Sequence, residues 1–258
     1  MSLSGCTSLY QATVPGEGFN HFIASHDIDV GQAEVRDRLT GTHHSQALHI
    51  YLTGDGVPFV SPDRVALDPT PRKPLVLELM KADPAPSLML GRPCYHVDRD
   101  NPDCRPELWT THRYAPQVVR SLVSAVNHMS GDRQVVLIGY SGGGTLAMLM
   151  APKITNVTAV ITVAANLDTR AWAAHHGYTP LVGSLNPADT LDQTNNIAQY
   201  HFVGGSDDNV PAALTGALEP QLPSASIRIV EEFGHTCCWR QSWPVLLAEA
   251  LAALTAGD

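Results

Sequence analysis

Ser141 stands in a segment whose residue types favour nucleophilic chemistry. Residues 135–150 read VVLIGYSGGGTLAMLM, in which a run of β-formers ends at Gly139 and an apolar helical pattern follows Gly143. Glycines on both sides of the serine let a strand and a helix approach each other at a sharp turn. Such a turn lifts the serine hydroxyl above the sheet, where a general base and a substrate can reach it. The segment therefore predicts a nucleophilic serine between a strand and a helix.

A nucleophilic serine needs a histidine base, and the histidine needs an acid that orients it. Two downstream segments, 199–204 and 226–231, read as strands, and Asp207 and His235 follow them in turn. The acid and the histidine thus come after successive strands in the chain order Ser, Asp, His that such a turn requires. We predict that Ser141, Asp207 and His235 form a catalytic triad.

These motifs together resemble those of the α/β-hydrolase family. Gly139–Gly143 (G-x-S-x-G) resembles the nucleophile turn of that family, and Gly204–Pro211 (G-x-x-D-x-x-V-P) is similar to its acid loop. Gly234 and His235 resemble its histidine loop, and the resemblance extends from about residue 45 to the C-terminus. It implies a serine hydrolase that needs no cofactor.

The acid position has three candidates. Asp207 matches the acid of the family loop best, whereas Asp208 could serve instead or cap the helix that begins near Pro211. Asp168 follows a strand predicted over 157–164 and is the remaining well-placed acid. We predict Asp207 and keep the other two as alternatives.

The resemblance also implies the position of the oxyanion hole. One donor is the backbone N–H after the nucleophile, at Gly142, and the other comes from the loop after the strand predicted over 46–53, at Asp55. This chain has Thr53 and Gly54 where the family often has His-Gly. A carboxylate beside a developing oxyanion is unfavourable, so we expect the Asp55 side chain to turn away and accept a hydrogen bond from a neighbouring loop.

Predicted strands and helices alternate from residue 45 onward. Such alternation predicts an α/β fold with a mostly parallel central sheet and helices on both faces. We assign residues 1–18 to an N-terminal tail and 19–258 to one α/β-hydrolase domain, with antiparallel edge strands expected within 19–30. Besides the strands named above, the pattern predicts a strand over 87–90 and helices over 75–81, 114–129, 212–219 and 243–254.

Residues 166–198 interrupt this alternation. They follow the sixth strand, where the family places its cap, and a loop of this length without structure is uncommon in a compact domain. We therefore expect a small cap rather than a plain surface connection. Its side chains Trp172, Tyr178 and Leu181, together with Tyr140, are expected to line the substrate pocket.

Composition excludes several classes of partner. The chain has 258 residues, of which 44 % are hydrophobic, and this suits one large domain. Its formal net charge of −9 argues against nucleic acid and anionic membrane surfaces as partners. No apolar run approaches the ~20 residues of a transmembrane helix. The expected partner is a small-molecule acyl substrate.

The histidines do not indicate a metal site. Two pairs, His43-His44 and His175-His176, lack both the i, i+4 spacing of a helical metal site and a nearby set of Cys or Asp ligands. We expect no bound metal.

Four of the five cysteines form two close pairs. Cys94 and Cys104 flank the polar segment HVDRDNPD, and we expect a disulfide between them, with two free thiols as the alternative. Cys237 and Cys238 are adjacent, and we interpret them as packing residues because a bridge between neighbours is unfavourable.

The fifth cysteine belongs to a short N-terminal motif. Residues 3–6, Leu-Ser-Gly-Cys, resemble the bacterial lipobox, whose cysteine becomes the lipidated first residue of the mature protein. The charged and apolar signal segment that normally precedes it is absent, so we expect a trimmed start. With the predicted disulfide, Cys6 favours an exported protein, either periplasmic or anchored to a membrane by lipid. A cytoplasmic location is the alternative.

The sequence favours a serine hydrolase that cleaves a carboxylic ester through an acyl-enzyme. Thioesters, amides, lactones and peptides remain alternative substrates. A different class of protein, a catalytically silent α/β-hydrolase fold used as a binding module, is disfavoured by the complete triad but stays open.

Overall fold

The central feature is an eight-stranded sheet in which six neighbouring strands are parallel. The structure is a computed structural model that describes residues 9–25, 46–97 and 100–255. In spatial order the strands are β1 (Tyr10–Pro15), β2 (Asn20–Ser25), β6 (Ser87–Leu90), β3 (Leu48–Leu52), β7 (Val135–Tyr140), β8 (Val157–Val163), β9 (Ala198–Gly204) and β10 (Ala225–Val230). Strand β2 is antiparallel to both of its neighbours, β1 and β6, and all other pairs in the sheet are parallel. The predicted fold class is confirmed.

Helices cover both faces of this sheet and build a core on each. The helices are α1 (Leu75–Lys81), α2 (Pro116–Ser130), α3 (Gly142–Met150), α4 (Thr169–His176), α5 (Ala212–Gly216) and α6 (Trp239–Thr255). Apolar side chains of α2 and α3 pack in one core, and those of α1 and α6 pack in the other. The middle strands are apolar at nearly every position because both of their faces are buried. Among the described residues, no helix combines the length and apolar character that a membrane crossing requires.

The sheet begins earlier in the chain than the sequence predicted. Strand β1 lies within residues 1–18, which we assigned to a tail, and it pairs with β2 over its whole length. Val14 alone is buried in β1, so this edge strand carries little of the apolar pattern that reveals a strand. Residue Cys6 and positions 26–30 of the predicted edge region lie outside the described residues.

Helix α6 also begins earlier than predicted, at Trp239 rather than near residue 243. A proline is favoured in the first turn of a helix, so Pro244 is typical of a helix start. Here it lies in the helix interior. Trp239 and Trp243 are both fully buried and anchor α6 in the core on that face of the sheet.

Both cysteine pairs are bonded in the structure. A disulfide joins Cys94 and Cys104, whose Cα atoms are 5.5 Å apart, as the sequence led us to expect. A second disulfide joins Cys237 and Cys238, across a cis peptide bond. The interpretation of this second pair as packing residues was therefore wrong. Cys237 is exposed and Cys238 half-buried, so the pair lies at the surface and not in a core.

Removal of the Cys94–Cys104 disulfide is expected to lower the free energy of unfolding by about 2–3 kcal/mol, because the bridge restricts the unfolded chain over a loop of about ten residues. Thermal unfolding of a Cys94→Ala/Cys104→Ala variant measures this loss. The matched control is Cys237→Ala/Cys238→Ala, which opens a far smaller loop and should cost less. An unchanged melting temperature in the first variant would contradict the prediction.

The core contains a histidine that burial keeps neutral. His201 in β9 has no exposed surface, its Nδ1 lies 2.8 Å from Thr162 Oγ1, and burial lowers its pKa to about 4. The unfolded chain binds this proton near pH 6.5, whereas the folded chain binds it only near pH 4. The folded state therefore loses stability as the pH falls between these two values, by about 3 kcal/mol in total.

Urea unfolding of the native chain and of a His201→Gln variant measures this effect, at about pH 7 and pH 4.5. The variant removes the titrating group and should lose less stability over this interval than the native chain. An equal loss in both proteins would show that other groups are responsible.

Candidate active site

Ser141 occupies a strained turn between β7 and α3. Its backbone φ is 52°, in the left-handed region that a residue with a Cβ rarely adopts. The turn is tight because Gly139 and Gly143 have no side chains: a Cβ on the first would overlap the backbone of the second, and a Cβ on Gly143 would overlap the backbone of Leu52. Close packing of β7, α3 and β3 thus places the serine at the carboxyl edge of the sheet.

The structure brings Ser141, His235 and Asp207 together in a hydrogen-bonded chain. His235 Nε2 lies 3.0 Å from Ser141 Oγ, and His235 Nδ1 lies 2.9 Å from Asp207 Oδ2. With Nδ1–H donating to the carboxylate, Nε2 is left to accept the serine proton. Asp207 is held in turn, because its Oδ1 accepts the backbone N–H groups of Asn209 and Val210, both at 2.8 Å.

The other two acid candidates lie elsewhere. Asp208 is exposed at the surface. Asp168 caps helix α4, where its carboxylate accepts the backbone N–H groups of Arg170 and Ala171 and the side-chain amide of Asn186. The geometry therefore places Asp207 alone of the three beside His235.

The two residues predicted for the oxyanion hole flank the nucleophile. Gly142 is the first residue of α3, and Gly54 packs so closely on Ser141 that a Cβ there would lie 3.4 Å from the serine Cβ. Asp55 follows Gly54 in the same loop. As expected, its side chain accepts hydrogen bonds, but the donors are two arginines and a tyrosine that the sequence analysis missed. Its Oδ1 also lies close to Gly142, where a Cβ would overlap it.

A cavity of about 750 Å³ opens over Ser141. The predicted cap forms one wall through α4 and the chain that follows it. Part of the lining was not predicted: Phe59 and Pro62 belong to a hairpin of β4 (Phe59–Ser61) and β5 (Arg64–Val65). All four predicted pocket residues line this cavity, namely Tyr140, Trp172, Tyr178 and Leu181.

Trp172, in the segment predicted as a cap, forms a hydrogen bond with the loop that follows Asp207. Its indole N–H donates to the carbonyl oxygen of Asn209 at 2.8 Å, two residues after Asp207. The ring centroid of Tyr178 is 5.2 Å from that of Trp172, in an edge-on arrangement. The segment predicted as a cap therefore contacts the loop that carries Asp207.

Tyr140 supplies an apolar wall beside the histidine. Its ring centroid lies 5.2 Å from that of His235. Burial, with a smaller contribution from the charge of Asp207, raises the pKa of Tyr140 above its usual range. The phenol therefore stays neutral and is not a competing base.

Of the two histidine pairs considered as metal sites, the structure describes only His175-His176. His176 Nε2 donates to the same Asn209 carbonyl oxygen, at 2.8 Å, which is a structural role. His43 and His44 lie outside the described residues. Within 9–25, 46–97 and 100–255, no three His, Cys, Asp or Glu side chains are grouped to hold a metal ion.

Comparison with known proteins shows similarity of fold. The chain matches no protein-family model and no curated sequence. Its structure is similar to an esterase of Pyrococcus furiosus, Pf2001, with a TM-score of 0.62 and 10 % identity over 96 % of this chain and 93 % of that one. It is also similar to Est1E from Butyrivibrio proteoclasticus, with a TM-score of 0.60 and 11 % identity over 94 % and 99 % of the two chains. A third is a membrane phospholipase A described as a bacterial virulence factor, with a TM-score of 0.59 and 10 % identity over 96 % and 87 %. The chain has the α/β-hydrolase fold.

Proposed function

We propose that this protein is a serine hydrolase that cleaves carboxylic esters. The observation that carries the proposal is the hydrogen-bonded chain from Ser141 through His235 to Asp207, which opens onto a cavity of about 750 Å³. A cavity of this size suits a small-molecule substrate. The names of two similar folds, an esterase and a phospholipase A, support ester hydrolysis over other acyl chemistry.

The first half of the reaction forms an acyl-enzyme. His235 Nε2 accepts the Ser141 proton as Oγ attacks the substrate carbonyl carbon, and the carbonyl oxygen becomes an oxyanion. In this proposal the backbone N–H groups of Gly142 and Asp55 stabilise that oxyanion. The Asp207 carboxylate holds the histidine tautomer and stabilises its charged form. The protonated histidine then gives its proton to the alcohol that leaves.

The second half releases the acid. His235 Nε2 removes a proton from water, which attacks the acyl carbon and forms a second oxyanion in the same place. Collapse of this intermediate breaks the bond to Ser141 Oγ, and the histidine returns the proton to the serine. All of these proton transfers use the one nitrogen that faces Ser141.

A fluorophosphonate probe and a panel of activated esters test this function. The proposal predicts covalent labelling of Ser141 and turnover of esters, with rates that vary along a series of acyl-chain lengths. A silent binding module would neither label nor turn over any substrate. Faster cleavage of matched thioesters or peptides than of esters would show that the substrate class is not an ester. The acyl-enzyme mechanism would still stand.

We also propose that the protein is exported, with Cys6 as the site of a lipid anchor. The Cys94–Cys104 disulfide supports this proposal because such bonds persist mainly in oxidising compartments. Expression of the gene in a bacterial host, followed by cell fractionation and mass mapping of Cys6, tests the location and the anchor. A cytoplasmic protein with reduced cysteines would contradict it.

A further inference from the structure

A half-buried carboxylate next to the candidate oxyanion hole is held by three side chains. Arg92 Nη1 donates to Asp55 Oδ1 at 2.5 Å, and Arg113 Nη1 donates to Oδ2 at 2.8 Å. The Tyr114 hydroxyl lies 2.9 and 2.8 Å from the two oxygens. We call Arg92, Arg113 and Tyr114 the Asp55 clamp. Since both carboxylate oxygens already accept two contacts, Asp55 is suited to anchoring its loop and not to proton transfer.

The Asp55 clamp places positive charge in a largely buried site. Burial by itself raises the pKa of Asp55, but the charges of Arg113 and Arg92 outweigh it and hold that pKa well below its usual range. Two guanidinium groups and one carboxylate leave a formal charge of +1 (2 − 1). The Arg92 side chain is 1 % exposed, and the rings of Tyr95 and Tyr114 flank it, each 5.3 Å from the guanidinium carbon. The charge is therefore fixed and poorly screened.

This cluster touches both sides of the candidate oxyanion hole. A Cβ on Gly142 would overlap Asp55 Oδ1 and would lie 2.5 Å from the Tyr114 hydroxyl. On the other side, Gly54 and Asp55 belong to the loop that packs on Ser141. Displacement of the Asp55 carboxylate would thus disturb the backbone at both proposed donors.

The topology explains why these residues meet. Asp55 follows β3 and Arg92 follows β6, and these strands are parallel neighbours whose carboxyl ends share one edge of the sheet. Arg113 lies in the loop just before α2, and its side chain reaches Asp55 at this edge. The Tyr95 hydroxyl donates to the backbone carbonyl oxygen of Asp55 at 2.9 Å, so the loop is held through its main chain as well as its side chain.

We propose that Arg92 and Arg113 are positioning residues of the oxyanion hole, which act through Asp55 to fix the loop that carries the second donor. The proposal rests on the ester hydrolase function proposed above. A loop that is fixed before the reaction stabilises the oxyanion without reorganisation, and the net positive charge behind it favours the same intermediate. Because the benefit arises in the transition state, its loss reduces kcat more than it changes KM.

A purely structural role predicts a different result. Buried ion pairs are weak evidence for stability, since apolar replacements are often neutral, whereas removal of one partner is strongly destabilising. A cluster that serves only the fold would therefore lower the melting temperature when broken and leave the chemistry of folded molecules unchanged.

The test compares Arg113→Met with Arg113→Lys in the full chain. Arg113→Met removes the charge at similar size, and we expect kcat for an activated ester to fall by about 10²–10³-fold with KM changed less than about threefold. Affinity for a trifluoromethyl ketone, which forms a tetrahedral oxyanion adduct on the serine, should fall by a similar factor. Arg113→Lys restores the charge and should recover part of both losses.

The matched control is Asp83→Asn, which removes the charge of Asp83 and so weakens its buried contacts with His49 and Tyr51. It should lower the melting temperature and leave kcat and ketone affinity unchanged. If Arg113→Met does not fold, Tyr114→Phe is the second variant, because it removes a single hydroxyl from the clamp. It should lower kcat and ketone affinity in the same way but by smaller factors.

Folded clamp variants with native kcat and native ketone affinity would overturn the positioning role while the ester hydrolase function stands. A loss confined to KM would overturn it as well. A native chain that neither turns over esters nor labels with fluorophosphonate would instead overturn the proposed function, and the positioning role would fall with it.

Discussion

Replacement of Ser141 by alanine is expected to lower ester turnover by about three to six orders of magnitude and to leave the fold intact. The hydroxyl is the atom that His235 Nε2 faces at 3.0 Å, and without it no acyl-enzyme can form. Alanine also has a Cβ, so the backbone with φ 52° gains no new strain. The measurement is kcat/KM with an activated ester, together with thermal unfolding to confirm that the variant folds.

Covalent labelling provides the control for this variant. Fluorophosphonate labelling should vanish with Ser141→Ala and persist in Ser226→Ala, which alters an exposed serine on β10. Undiminished labelling of the Ser141 variant at another serine would show that the nucleophile had been assigned to the wrong residue.

Asp207→Asn is expected to reduce kcat by up to about 10⁴-fold with little change in stability. The asparagine oxygen can still accept the backbone N–H groups of Asn209 and Val210, so the loop keeps its anchors. Its amide group then faces His235 Nδ1 as a donor and favours the tautomer with the proton on Nε2. That tautomer cannot accept the Ser141 proton. Steady-state kinetics at saturating ester measures the loss.

The two rejected acids serve as matched controls. Asp208→Asn alters an exposed side chain, and Asp168→Asn keeps a residue type that caps helices well. Each variant should retain most of the activity. If Asp168→Asn were instead the variant that lost most of its kcat, the acid would be the residue that follows β8, and the assignment of Asp207 would be wrong.

Local sequence signals determined the elements of this fold and the order of the site residues. Glycine spacing around Ser141 predicts a sharp strand-to-helix turn, because close backbone approach is a steric property of adjacent residues. Apolar periodicity likewise predicted α1, α2 and the buried strands. It was insufficient for β1, where one buried residue leaves almost no pattern.

Only the tertiary structure decided which acid reaches His235 and what holds Asp55. Asp207, Asp208 and Asp168 all follow strands, and packing alone turns one of them toward the histidine while another caps α4. A counter-charge for Asp55 follows from the cost of removing most of a carboxylate from water, but sequence spacing does not identify the partner. Arg113 stands 58 residues further along the chain, in the loop just before α2, and the fold brings this loop to the residues that follow β3. Sterics and periodicity act between near neighbours and can be read along the chain, whereas charge pairing in the core depends on which distant segments the packing brings together.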